Sequence, residues 1–172
     1  MIKALCLIIS MYTPAPECGR HLEYSKKNTH ISQDELVEVL EESYYDTFKS
    51  KPNHNTINMA WAQIAFENGR GEKVYNFNLG NIGANPLRPI RPYYKIAGSR
   101  FRSFPSFKDG ARCYWTTLKE RCSGALKHFA AGDPYSASLA LQRCGYYRAE
   151  FDHYYLNLKS LYYEGQSKNF NY

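Results

Sequence analysis

The segment from Ile57 to Gly71 constrains the fold more than any other. Ile57, Ala60, Trp61, Ile64 and Ala65 recur at i, i+3, i+4, i+7 and i+8, and Asn68-Gly69 stops the run. This spacing predicts a helix starting after the Pro52 to Asn55 break, the most apolar in the chain and hence central to the fold. Its neighbours read the same way. Ser32 with Glu35 forms a capping box ahead of Leu36, Val37, Leu40, Tyr44 and Phe48, and Ser106 with Asp109 forms another ahead of Phe107, Ala111, Tyr114, Trp115, Leu118 and Cys122. A shorter helix ends at Gly132, and Asp133-Pro134 starts another that ends at Gly145. A last helix runs from about Asp152 to Tyr163. Between Gly71 and Phe104 the chain turns to glycine, proline, asparagine and aromatics, with a hairpin expected around Ala97-Gly98-Ser99. The expected class is therefore α+β, mostly α: five or six helices with a small β or irregular insertion.

A length of 172 residues suits one compact domain. Residues 31–172 form that domain, and residues 1–30 read as an N-terminal extension or signal-like segment. The start, MIKALCLIISMYTPAPEC, fits either a short secretory leader or a retained segment, and its apolar run is far shorter than the ~20 residues that span a bilayer. The net charge of +6 favours an anionic partner without choosing among wall polymer, nucleic acid and membrane surface. Sixteen tyrosines suit either a tyrosine-rich core or a surface that binds sugars, bases or proteins. Five cysteines form no zinc-spaced cluster, so no metal is expected; Cys113 and Cys122 are too far apart on one helix to pair, which leaves free thiols as the expectation and Cys6–Cys18 as the local pair to test. The histidines stand beside no serine or cysteine motif, and no phosphate-binding glycine loop is present, so no cofactor is expected.

Chemistry concentrates at Glu67. At 100° per residue it falls within about 20° of Ala60, on the edge of the apolar stripe and in the last helical turn. Partial desolvation and the negative end of the helix dipole both favour the neutral acid there. A carboxyl held protonated near neutral pH is what general-acid catalysis requires. A glutamate that simply ends a helix in solvent is the competing reading.

Four blocks in order carry a family resemblance: AQIAFENGRG at 62–71, YNFNLGNIGA at 75–84, FRSFPSFKDGARCYW at 101–115 and LQRCGYYRAEFDHYYLNL at 141–158. Together they resemble the glucosaminidase-type peptidoglycan hydrolases of the lysozyme-like superfamily, over Trp61 to about Leu158. The resemblance implies a helical lobe and a small β lobe flanking a groove for the glycan strand. It implies Glu67 as catalytic acid, Tyr146 as the tyrosine beside it, and Gly80, Asn81 and Ile82 on the groove floor. Tyr75, Asn78, Tyr94 and Tyr147 fall in the bordering segments, where rings could lie on sugar faces and amides could bond acetamido groups. The implied partner is peptidoglycan rather than nucleic acid, and the implied location is the cell envelope, the exterior or a phage particle.

The sequence departs from that family where a second carboxylate is often found, because Arg88 to Phe104 contains no aspartate or glutamate. Glu72 is the nearest acidic alternative and reads better as a loop charge. A single-acid route is expected, with the substrate's acetamido group or 6-hydroxyl completing the reaction. The alternative is a wall-binding or structural protein that keeps the groove without turnover. The basic residues of the insertion, among them Arg88, Arg91, Lys95, Arg100 and Arg102, suit the carboxylates of peptide stems.

Overall fold

In a computed structural model the described residues are 22–83, 94–168 and 170, and the side chains of Leu22, Glu23 and Tyr94 lie outside the description. Cys6, Cys18, Arg88 and Arg91 fall outside it as well. Six helices dominate the described residues: α1 (Gln33–Phe48), α2 (His54–Asn68), α3 (Phe107–Arg121), α4 (Ser123–Ala131), α5 (Pro134–Arg143) and α6 (Phe151–Ser167). Two three-residue strands, β1 (Leu22–Tyr24) and β2 (Tyr94–Ile96), pair in parallel with Tyr24 opposite Ile96. Among the described residues no helix is long and apolar enough to cross a membrane.

Local chemistry sets the helix starts. Ser32, Asn53, Ser106 and Asp133 each accept a hydrogen bond from a backbone amide three residues on, which satisfies one of the otherwise orphaned donors. Gly69, at φ 64°, closes α2 in the left-handed conformation. Eleven of the fifteen α2 residues are buried, so this helix is enclosed by its neighbours rather than amphipathic. It packs against α1, α4 and α6. The fully buried Trp61 and Trp115 anchor the core, and truncating either to alanine costs on the order of 3–5 kcal/mol. Trp115 also donates its indole N–H to the Leu40 carbonyl at 3.0 Å, which locks α3 onto α1.

Residues 22–30, expected to belong to the N-terminal extension, are instead woven into the irregular region of the fold. Thr29 N donates to Val74 O at 2.8 Å, and Lys27 N donates to the Asn76 side chain at 2.7 Å. The expected turn around Ala97-Gly98-Ser99 is present, with Ile96 N donating to Phe101 O at 3.0 Å. Its returning side is reduced to an isolated antiparallel bridge between Lys95 and Arg102.

The cysteines correct the expectation of free thiols. Cys122 and Cys144 form a disulfide with Cα atoms 5.4 Å apart, joining the α3–α4 junction to the end of α5; Cys113 is free and buried.

Candidate active site

The last turn of α2 opens onto a groove of about 400 Å³. The chain from Gly80 to Gly83, with Arg100 and Phe101, lines its floor and one side. The other side combines Thr117 and Arg121 of α3 with Gly145 to Arg148, the connection between α5 and α6. Glu67 lies between them, half-buried, and is the only carboxylate among the described residues that line the groove.

Burial pushes the Glu67 carboxyl above its ordinary value, and one hydrogen bond opposes the shift. The donor is the Asn81 amide, whose Nδ2 lies 2.9 Å from the Glu67 backbone oxygen and 3.3 Å from Oε2. Asn81 sits at φ 48°, a left-handed conformation asparagine tolerates, and so its side chain turns back toward the end of α2. Three phenols lie within range of the Glu67 charge. Tyr114, Tyr146 and Tyr154 are all driven well above the usual tyrosine range, chiefly by burial, and the Glu67 charge adds to the shift in each case. Gln63, one turn before Glu67, accepts from the Tyr114 hydroxyl at 2.6 Å and donates to the Tyr154 hydroxyl at 3.1 Å. These groups remain neutral donors and acceptors at physiological pH.

The floor is tied by amides rather than by charges. Asn68 donates to Leu79 O at 3.0 Å and accepts from Gly71 N at 2.8 Å, which fixes the direction of the chain leaving α2. Tyr146 donates its hydroxyl to Gly80 O at 3.1 Å. A side chain at Gly80 would press on that hydroxyl and on the Tyr114 ring, both 2.9 Å from a built Cβ, so only glycine admits the approach.

The sequence-derived residues divide into three groups. Glu67, Gly80, Asn81, Ile82, Tyr146 and Tyr147 come together on the groove. Tyr147 contributes little free surface. It stacks on Tyr154 with ring centroids 3.5 Å apart, its hydroxyl donates to Ser138 O at 3.0 Å, and burial pushes that hydroxyl up to about 12. Tyr75 is not on the groove; its ring lies under the Lys26 ammonium at 3.8 Å. Asn78, expected to bond a sugar, is buried and committed inside the fold: Nδ2 donates to Ile82 O and Arg102 O at 3.0 Å, and Oδ1 accepts from Ile82 N at 2.8 Å. Arg102, expected among the stem-facing bases, is likewise buried and donates to Gly83 O at 3.2 Å. The Tyr94 side chain lies outside the described residues. Glu72 is exposed and does not line the groove.

Sequence reasoning missed Thr117, Arg121 and Arg148 as groove residues. A signal for two of them exists: Cys113, Thr117 and Arg121 follow at i, i+4 and i+8 along one face of α3. Among the described residues no group of three His, Cys, Asp or Glu side chains is placed to hold a metal ion. No family model, curated protein or solved structure matches this chain.

Proposed function

We propose that this chain is a peptidoglycan glycosidase that cleaves the β-1,4 glycan backbone with Glu67 as general acid. The observation that carries the reading is a desolvated carboxyl, raised in pKa, lining a groove of about 400 Å³. The order of the four sequence blocks adds the substrate class. In the first step Glu67 protonates the glycosidic oxygen as the bond to C1 breaks, leaving positive charge on the ring. No second carboxylate lines the groove among the described residues, so the acetamido oxygen or the 6-hydroxyl of the substrate meets that charge. The Glu67 carboxylate then takes back a proton, from water in hydrolysis or from the 6-hydroxyl in transglycosylation. Tyr146 is a neutral phenol that holds Gly80, and with it the groove floor, against the acid.

The disulfide supports an extracytoplasmic or particle-borne location, because such bonds persist in oxidising surroundings. The single carboxylate also favours a second reading, a wall-binding protein without turnover. Mass spectrometry of purified peptidoglycan digested with the wild type and with Glu67→Gln separates the two. The expected result is new sugar ends with the wild type, a loss of at least ~100-fold in the variant, and unchanged wall binding. Undiminished cleavage by the variant overturns the assignment of the acid. Binding without cleavage by the wild type establishes the second reading.

A further inference from the structure

Arg121 belongs to two cavities. It stands on the wall of the groove and also on that of a second cleft, of about 540 Å³, between the start of α4 and the end of α5. Lys127 and Arg143 line that cleft too, and no aspartate or glutamate does. All three side chains are exposed, and none forms an ion pair or a side-chain hydrogen bond among the described residues. Elsewhere Arg70, Lys108, Arg112 and Lys168 each pair with a carboxylate. Concentrated, unneutralised positive charge in a concavity raises the local concentration of anions.

The disulfide gives this charge a fixed frame. Arg121 immediately precedes Cys122 and Arg143 immediately precedes Cys144, so the bond holds the two arginine-bearing backbones beside one another. Both cysteines line the cleft. Cys122 caps α4 without a side-chain hydrogen bond, and Ser123 and Gly124 of its first turn also face the cleft, which adds the positive end of the helix dipole to the three side-chain charges. His128 is on the same wall.

The geometry points to this cleft as a carboxylate subsite that receives the peptide side chain of the glycan while the sugar backbone lies beside Glu67. The inference rests on the proposed glycosidase reading for its substrate. Continuity through Arg121 favours a branch carried on the strand over a separate ligand. Guanidinium forks match carboxylates in pairs, and Leu139 and Ala140 give the same cleft an apolar side for a peptide's methyl and methylene groups.

The test is co-sedimentation of the wild type, Lys127→Ala/Arg143→Ala and Lys127→Arg/Arg143→Lys with three preparations of purified wall: intact, stripped of stem peptides by an amidase, and stripped of phosphate-bearing polymers by acid. The expected result is a wild-type preference for peptide-bearing over peptide-free glycan of about tenfold, lost in the alanine pair and kept in the charge-conserving pair. Equal wild-type binding to both, a preference that survives the alanine pair, or one that disappears with the phosphate polymers overturns the subsite. Cleavage is scored in parallel. Peptide preference without any cleavage removes the enzymatic reading and leaves the subsite standing, whereas cleavage without preference removes the subsite alone.

Discussion

Replacing Cys122 and Cys144 together with alanine releases a loop with a sequence separation of 22 that encloses all of α4 and α5. Alanine is the better substitute than serine because Cys122 is buried and a hydroxyl there would need a partner. With about 22 residues in the loop, chain-entropy arithmetic gives about 11 cal/mol/K, or about 3.4 kcal/mol at 25 °C. Set against a total stability of roughly 5–15 kcal/mol, that is a large fraction, and for a chain of this size it lowers the melting temperature by about 7–13 °C. Urea unfolding of the wild type, the double variant and the reduced wild type checks the figure, with thiol alkylation of the unreduced protein showing that Cys122 and Cys144 are protected. The bond also joins two groove-lining segments, because Arg121 lies on one side of it and Gly145 to Arg148 follow the other. Wall binding should therefore weaken at temperatures where the variant is still folded. A stability loss below about 1 kcal/mol, or free Cys122 and Cys144 in the unreduced protein, refutes the reasoning.

Two further outcomes are expected. Glu67 has a folded pKa above its unfolded value of 4.5, so its contribution to stability is fully present below pH 4.5 and is lost as pH rises through the folded value. Glu67→Gln should accordingly be more stable than the wild type at pH 7, with the gap closing as pH falls below 4.5. Thermal melts across that range check it, and a variant less stable at pH 7 contradicts the burial of the charge. Gly110→Ala should cost about 1–3 kcal/mol, because a Cβ there would lie inside contact distance of the Phe77 carbonyl oxygen and force α3 away from the loop that carries Phe77. Denaturant unfolding measures the loss, and an unchanged midpoint would show that the approach of α3 to that loop is looser than described.

The helices were legible because their signals are local. Ser32, Ser106 and Asp133 each act within three residues, and Gly69 and Gly132 end their helices where they stand in the chain; Asn53, read as part of a break, caps α2 in the same way, so that helix starts at His54. Features that depend on distant partners were not. The last helix continues past Tyr163 to Ser167, where Glu164 binds Arg70 and Lys168. Strand β1 is three residues in a polar stretch and exists through its pairing with Tyr94 to Ile96. The disulfide links two elements whose neighbourhood no spacing rule within one helix reveals. The same distinction runs through the site. Helical periodicity put Glu67 on the edge of the apolar stripe, where the structure has it half-buried at the groove, whereas Asn78 was misread because only the folded chain shows that backbone groups occupy its amide.

The separation of charge from the acid ties the proposed chemistry to the proposed recognition. A carboxyl meant to donate a proton near neutrality loses that ability beside a cation, since an opposite charge within about 4–6 Å favours ionisation. Around Glu67 the fold uses the Asn81 amide and the phenols of Tyr114, Tyr146 and Tyr154, all uncharged. Burial and Asn81 govern the shift of Glu67, and no arginine contributes to it, although Arg100, Arg121 and Arg148 line the same groove. Those cations thus leave the upward shift of the carboxyl in place. Arg121, with Lys127 and Arg143 beyond it, extends the positive charge away from the acid, where it can bind an anionic branch without ionising the proton donor. Moving a cation inward separates these roles by experiment. Asn81→Lys should lower the Glu67 pKa and shift the falling limb of any pH–activity profile to lower pH, while the preference for peptide-bearing wall stays unchanged. An unshifted limb means that residue 67 is not the group whose protonation limits the reaction.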